Sequence, residues 1–172
     1  MNKFLMKLIS EEKIKLVESS EDIAIAYLHK SGKSLLSAKT LVNIENLDDA
    51  IALTYYSMYY SVLALLFKIG IKSENHTGSI LLLKEIFDLD VSELQKAKKD
   101  RVDKQYYVDF STTKKEVLNA IILAEEFNAK IKLKIDTISL SEVEQYNEKA
   151  KSLLFTDLNK LSKSHPWCIF SW

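Results

Sequence analysis

The densest group of side chains able to do chemistry lies between Lys96 and Tyr107: Lys96, Lys98, Lys99, Asp100, Arg101, Asp103, Lys104, Gln105, Tyr106 and Tyr107. Five bases against two acids leave this stretch locally cationic. An arginine can hold a phosphate in a bidentate fork, and tyrosines can stack on bases. The same spacing also suits a solvated helix face, with Asp100 and Lys104 paired one turn apart. A second group, Glu74-Asn75-His76-Thr77-Gly78-Ser79, opens a helix. Free amides at such an end attract anions, and His76 can add a proton donor. The alternative is a capping cluster, with Asn75 or Thr77 accepting from those amides.

Other chemistries find little support. His29, His76 and His165 are remote from one another, and no Glu-x-x-His occurs, so neither a metal site nor a cofactor is expected. No local signature of a Ser-His-Asp or Cys-His triad and no Gly-rich phosphate loop is present. Acids and bases balance at 24 each, so any polyanion site must be local. The single cysteine, Cys168, forms no internal disulfide and suits a reducing, cytoplasmic setting. The N-terminus lacks the long apolar core and small-residue cleavage site of a secretory signal.

The elements that must position these residues are helical. Three glycines and one proline, Pro166, are very few for 172 residues rich in Leu, Ile, Lys, Glu and Ala. Ser20 predicts the cap of a helix to Asn43, with Gly32 inside it marking a weak point near 30–33. A second helix spans Leu47 to Ile69 and ends at Gly70, as a left-handed cap requires. A loop over 71–75 leads to a short helix from His76 to Phe87. Asp90 with Glu93 predicts a capping box for a helix from Val91 to Gln105, and Thr113 with Glu116 one for a helix from Lys114 to Ile135. Ser141 with Glu144 predicts the start of a last helix that runs to Ser162. The fold class is all-α: an antiparallel four-helix up-and-down bundle with a short inserted helix and extra N- and C-terminal helices. Residues 1–19 form an N-terminal helical extension, 20–137 the bundle, and 138–172 a C-terminal helix with the apolar tail Trp167–Trp172.

The second helix contains the most apolar stretch. Ala50 to Phe67 carries no formal charge and is long enough for a membrane span, for which about 18 residues suffice. Its four phenols lie mid-segment, whereas membrane tyrosines favour the interfaces. A buried central helix fits better, and no membrane is expected. One stripe holds Leu47, Ile51, Tyr55, Met58, Tyr59, Val62, Leu66 and Ile69. A second holds Ala52, Tyr56, Tyr60, Leu63 and Phe67 and must face a further helix, another subunit or a ligand.

The order of the pieces carries a resemblance. Leu35-Leu36-Ser37-Ala38-Lys39-Thr40-Leu41 is followed by Asp49-Ala50, Tyr55-Tyr56-Ser57-Met58-Tyr59-Tyr60, Ala64-Leu65-Leu66, Gly70, His76-Thr77-Gly78, and Arg101 ahead of a tyrosine. This resembles the HEPN domain family, above all its small prokaryotic members, over about Ala24 to Ile135. The resemblance implies a helical bundle that dimerises, with polar residues of both protomers meeting in a cleft. Many members cut RNA without metal through an arginine and, four to six residues on, a histidine. Several are toxins paired with a minimal nucleotidyltransferase antitoxin.

Carried over, Arg101 takes the place of the motif arginine and Tyr106 that of the histidine; Gln105 stands where the small members have aspartate. In-line cleavage needs a group near pKa 7 to move the 2′-hydroxyl proton, and tyrosine, near pKa 10, serves poorly. The expected function is therefore nucleotide or RNA binding at a dimer cleft, with Arg101 and Tyr106 at the catalytic position. His76, Asp103, Lys104 and Tyr107 are the expected ligand contacts, and Tyr56, Tyr60, Leu63 and Phe67 the dimer face. The expected partners are a second copy and a minimal nucleotidyltransferase. The alternatives are an active metal-independent ribonuclease toxin and a non-catalytic protein-interaction module that docks through Trp167–Trp172.

Overall fold

A computed structural model describes residues 3–106 and 111–164, with no side-chain description at 105, 106 and 155–164. The described residues form α1 (Lys3–Ser10), β1 (Ile14–Leu16), α2 (Glu21–Asn43), α3 (Leu47–Lys68), β2 (Ile71–Ser73), α4 (His76–Phe87), α5 (Ser92–Tyr106), α6 (Lys114–Thr137) and α7 (Leu140–Ser164). The described residues are all-α apart from one short ribbon. α3 is the central element, in contact with α2, α4, α5 and α6.

From Ala50 to Phe67 only Leu53, Tyr56 and Tyr60 reach the surface, and those partly. α3 is the one described helix long and apolar enough to cross a membrane, and 83% of its apolar window is buried inside the protein. A helix that is apolar all round needs such a covering. Its polar groups are satisfied within that covering. Thr54 donates to the Ala50 carbonyl at 2.8 Å and Ser61 to the Met58 carbonyl at 2.7 Å. Ser57 ties three helices together: Ser31 of α2 donates to its carbonyl at 2.8 Å, and Asn128 of α6 donates to its hydroxyl at 2.6 Å.

Capping follows the sequence in most places. Ser20 accepts from the Ile23 amide, and Thr113 and Glu116 form a complete capping box. Three local expectations need correction. α2 runs unbroken through Gly32, because an exposed helical glycine costs only about 1 kcal/mol against the packing of the whole helix. Asp90 holds the amide and hydroxyl of Ser92, at 3.0 and 2.9 Å, in place of a box with Glu93. The reciprocal cap of α7 is made by Ser139 and Glu142, two residues ahead of the expected pair.

The larger correction is the ribbon. Residues 71–75 are not simply a loop: β2 pairs antiparallel with β1, Ile14 opposite Ser73 and Leu16 opposite Ile71. Further bonds from Val17 to Gly70 and from Glu74 to Lys13 extend it at both ends. Three-residue strands separated by more than 50 residues leave no periodic trace for a local reading. The ribbon joins the N-terminal segment to the core, where Leu5, Leu8 and Ile14 pack in one cluster with α3, α4, α6 and Ala150 and Leu154 of α7.

Gly70 turns the chain from α3 into this ribbon at φ +77°, and a Cβ there would lie 2.6 Å from the Val17 carbonyl oxygen. Nothing lies within 4 Å of a Cβ built on Gly32. Gly70→Ala is therefore expected to lower stability by about 1–3 kcal/mol. Gly32→Ala is expected to raise it by about 0.5–1 kcal/mol. Urea denaturation midpoints of the two variants, moving in opposite directions from the parent, check this.

Candidate functional site

The partly open stripe of α3 is where polar side chains from three helices meet. β2 sets the approach. Ser79 sits 2.8 Å from the hydroxyl of Ser73, and Asn75 caps α4 by accepting from the Gly78 amide at 2.9 Å. Gly78 allows the close fit, since a Cβ there would lie 2.6 Å from Leu8 Cδ1. The first residue of α4, His76, is thereby laid onto the tyrosines of α3. Its ring stacks on Tyr59, with centroids 3.9 Å apart and planes 15° apart. Its Nδ1 lies 2.5 Å from the hydroxyl of Tyr55.

That contact fixes the tautomer. Tyr55 is fully buried and His76 is the one hydrogen-bond partner of its hydroxyl among the described residues. Burial raises the Tyr55 phenol well above its ordinary pKa, so it keeps its proton. The proton is donated to Nδ1, which leaves Nε2 carrying the imidazole hydrogen. Burial also pulls His76 below the ordinary imidazole value, and the positive charges of Arg101 and Lys98 push it the same way. At neutral pH His76 is a neutral donor through Nε2–H.

Arg101 reaches in from α5. One guanidinium nitrogen donates to the Tyr56 hydroxyl at 2.9 Å, and the group lies 5.2 Å from the centroid of that ring. With its lone pair engaged by Arg101, Tyr56 has its own O–H available for another acceptor. The Arg101 Nε is buried and has no hydrogen-bond partner among the described residues. Lys98, one turn earlier, donates to the Thr77 hydroxyl on the first turn of α4. Burial, and then Arg101, lower its pKa. No carboxylate pairs with Arg101 or Lys98 among the described residues. The Tyr56 hydroxyl, Arg101, Lys98 and His76 thus form a half-buried group of donors and positive charge.

The other expected site residues distribute differently. Lys104 lies on the flank of α5 that faces α6, 3.7 Å from Glu116 and donating to the Ser111 carbonyl at 2.8 Å, where it ties α5 to α6. Asp103 faces the groove between α4 and α5, about 370 Å³, with Thr77, Lys98 and Lys99. The two neighbours therefore do not share one site. The side chain of Tyr106, together with Tyr107, His165 and the Trp167–Trp172 tail, lies outside the described residues.

The expected dimer face divides as well. Tyr56 and Tyr60 are half-exposed, but Leu63 and Phe67 are 5% and 9% exposed in the single chain. Phe67 stacks on Tyr27 of α2 at 5.4 Å. Those two residues belong to the fold's own core and have little surface to offer a second chain. Conversely, Lys98 joins the donor group, and Tyr55, Tyr59 and Thr77 hold its members in place, although none of the four was among the expected ligand contacts. The i, i+4 repeat of Tyr55 and Tyr59 on one face was legible, but the contact with His76 depends on how β2 turns the chain. The described residues also hold no group of histidine, cysteine and carboxylate placed to bind a metal.

The model of the HEPN domain matches residues 24–135, well over half of the chain and the same span over which the sequence resemblance runs. A comparison with curated proteins gives no match. The matched span contains α3, α4 and α5, and so every residue of the donor group.

The neutral histidine gives the fold a pH dependence. Its folded pKa lies below that of the unfolded chain, near 6.5. Below that value the unfolded chain takes up a proton that the folded one resists. The contribution of His76 is thus fully present above pH 6.5 and is lost as pH falls through the lower folded value. The melting temperature of the parent is expected to drop more steeply between pH 6.5 and 5 than that of His76→Gln, as followed by circular dichroism.

Proposed function

Since the chain belongs to the HEPN domain family, we propose that it is a phosphate-binding module for nucleotide or RNA. The proposed site is Arg101, Lys98, His76 and the Tyr56 hydroxyl. One observation carries this reading: Arg101 is drawn into the protein with its Nε buried and unpartnered among the described residues, and no described carboxylate neutralises it. A buried donor without an acceptor costs about 1–3 kcal/mol, and a charged one more. A phosphate oxygen would supply the acceptor and the countercharge together, and the fork of an arginine matches it. His76 Nε2–H and the Tyr56 O–H would add two further donors.

Binding is favoured over cleavage on chemical grounds. The motif position for histidine holds Tyr106, and His76 in its neutral tautomer offers a hydrogen rather than a lone pair at Nε2. A second reading, metal-independent RNA cleavage by Arg101 with His76, draws on one observation: both residues contact the Tyr56 ring. Family membership further supports a homodimer and a minimal nucleotidyltransferase partner, as in a toxin–antitoxin pair. A cytoplasmic location agrees with the single cysteine.

Fluorescence anisotropy with a labelled oligoadenylate, and isothermal titration with AMP, test the assignment. Arg101→Ala is expected to weaken both by at least about tenfold, the size of one or two lost hydrogen bonds to a charged group. Lys98→Ala is expected to weaken both by less, and EDTA to change neither. A parent protein that binds neither probe at millimolar concentration refutes the reading. Cleavage of the RNA that persists in EDTA and vanishes in Arg101→Ala would establish the second reading instead.

A further inference from the structure

Beside the donor group runs a continuous row of aromatic rings. Tyr56 stacks on Tyr60 at 6.1 Å and 23°. Tyr60 packs on Tyr27 of α2 at 6.2 Å and 32°, and Tyr27 stacks on Phe67. Tyr56, Tyr60 and Tyr27 are partly exposed, whereas Phe67 closes the row in the core. The first two rings each carry a cation. The Arg101 guanidinium lies by Tyr56, and the Lys30 ammonium sits 4.3 Å from the centroid of Tyr60. Among the described residues neither cation has a carboxylate partner. Only Tyr56 belongs to the phosphate site.

We propose that Tyr60 and Tyr27 are base-stacking subsites that extend the phosphate site along α2 and α3, so that the ligand is a single-stranded RNA of several nucleotides rather than a mononucleotide. The proposal rests on the phosphate-site reading above. Its chemistry is that of single-strand recognition: rings that accept any base face, interleaved with bases that follow the backbone. Lys30 is exposed on a long flexible stem, so it can leave the face of Tyr60 to a nucleobase and pair with the adjoining phosphate. A subunit interface fits the same surface less well. The centre of a protein–protein patch is depleted of lysine, although tyrosine and arginine are enriched there, and here the Lys30 ammonium lies over the ring of Tyr60.

The experiment compares AMP with a fluorescein-labelled five-nucleotide oligoadenylate on the full chain. Tyr60→Leu keeps the apolar bulk and removes the π-face, whereas Tyr60→Phe keeps both. Tyr60→Leu is expected to lose about tenfold in affinity for the oligonucleotide while binding AMP within twofold of the parent. Tyr60→Phe is expected to retain both affinities. Arg101→Ala loses both probes, so failure of the phosphate site is distinguished from failure of the stacking row. Unchanged oligonucleotide binding by a folded Tyr60→Leu overturns the proposal. A change of oligomeric state in that variant, seen by light scattering, overturns it in favour of a contact between copies.

Discussion

The structure depends on one constraint: α3 is buried on nearly every face while carrying four phenols and several hydroxyls. A buried hydroxyl without a partner is costly, so each must be met by something that packs on the helix. Thr54 and Ser61 solve this by bonding back to their own helix. Ser57 is met by α2 and α6, which fixes how those helices sit against α3. The Tyr55 hydroxyl is met by His76 and that of Tyr59 by Ser79, with the His76 ring stacked on Tyr59, which brings the first turn of α4 onto α3. The same groups that settle the packing thus create the polar surroundings of the site.

The stripe Leu53, Tyr56 and Tyr60 is what remains once the helix has been covered. α5, polar for most of its length, is anchored to the core by Leu94 and Ala97, with Val91 buried just ahead of it. Its residues then divide by helical angle: Lys104 goes to α6, Lys98 to α4, and Arg101 to the open stripe between them. A segment of five bases and two acids is therefore not a uniform cationic patch. It delivers two cations, Arg101 and Lys98, to one half-buried place and uses Lys104 to hold a helix.

Much of this was legible in the sequence because it is local. Ser20, the Thr113–Glu116 pair, Gly70 and the range His76–Phe87 follow from caps, apolar period and the demand for a left-handed residue. The division of the tyrosines, with 55 and 59 inside and 56 and 60 half-open, follows from the helical period. What was not legible depends on chain reversal over long distances. The β1–β2 ribbon is too short to show alternation, and without it nothing brings His76 to Tyr55. Leu63 and Phe67 read as a face for a second subunit, because the sequence does not show that Tyr27 of the preceding helix covers Phe67. Asp103 and Lys104 read as neighbours in one site, although adjacent helical positions point about 100° apart.

The pairing of Tyr55 with His76 also bears on what kind of protein this fold has become. A general base needs a lone pair aimed at the substrate and a pKa near the working pH. Here the Nδ1 lone pair points inward to a phenol that has no other partner among the described residues, and the outward nitrogen carries hydrogen. Protonating the ring would require Tyr55 to turn its hydrogen away from Nδ1, within a site that already holds Arg101 and Lys98. Burial, the hydrogen bond and the two cations all favour the neutral donor. A phosphate in the site would work in the opposite sense on pKa, since its charge favours the imidazolium. Tyr55 limits that response, because its own proton must find another acceptor before His76 can be doubly protonated. Such a histidine holds a phosphate oxygen better than it exchanges protons with a ribose. The same buried phenol that completes the packing of α3 therefore inclines the site toward binding.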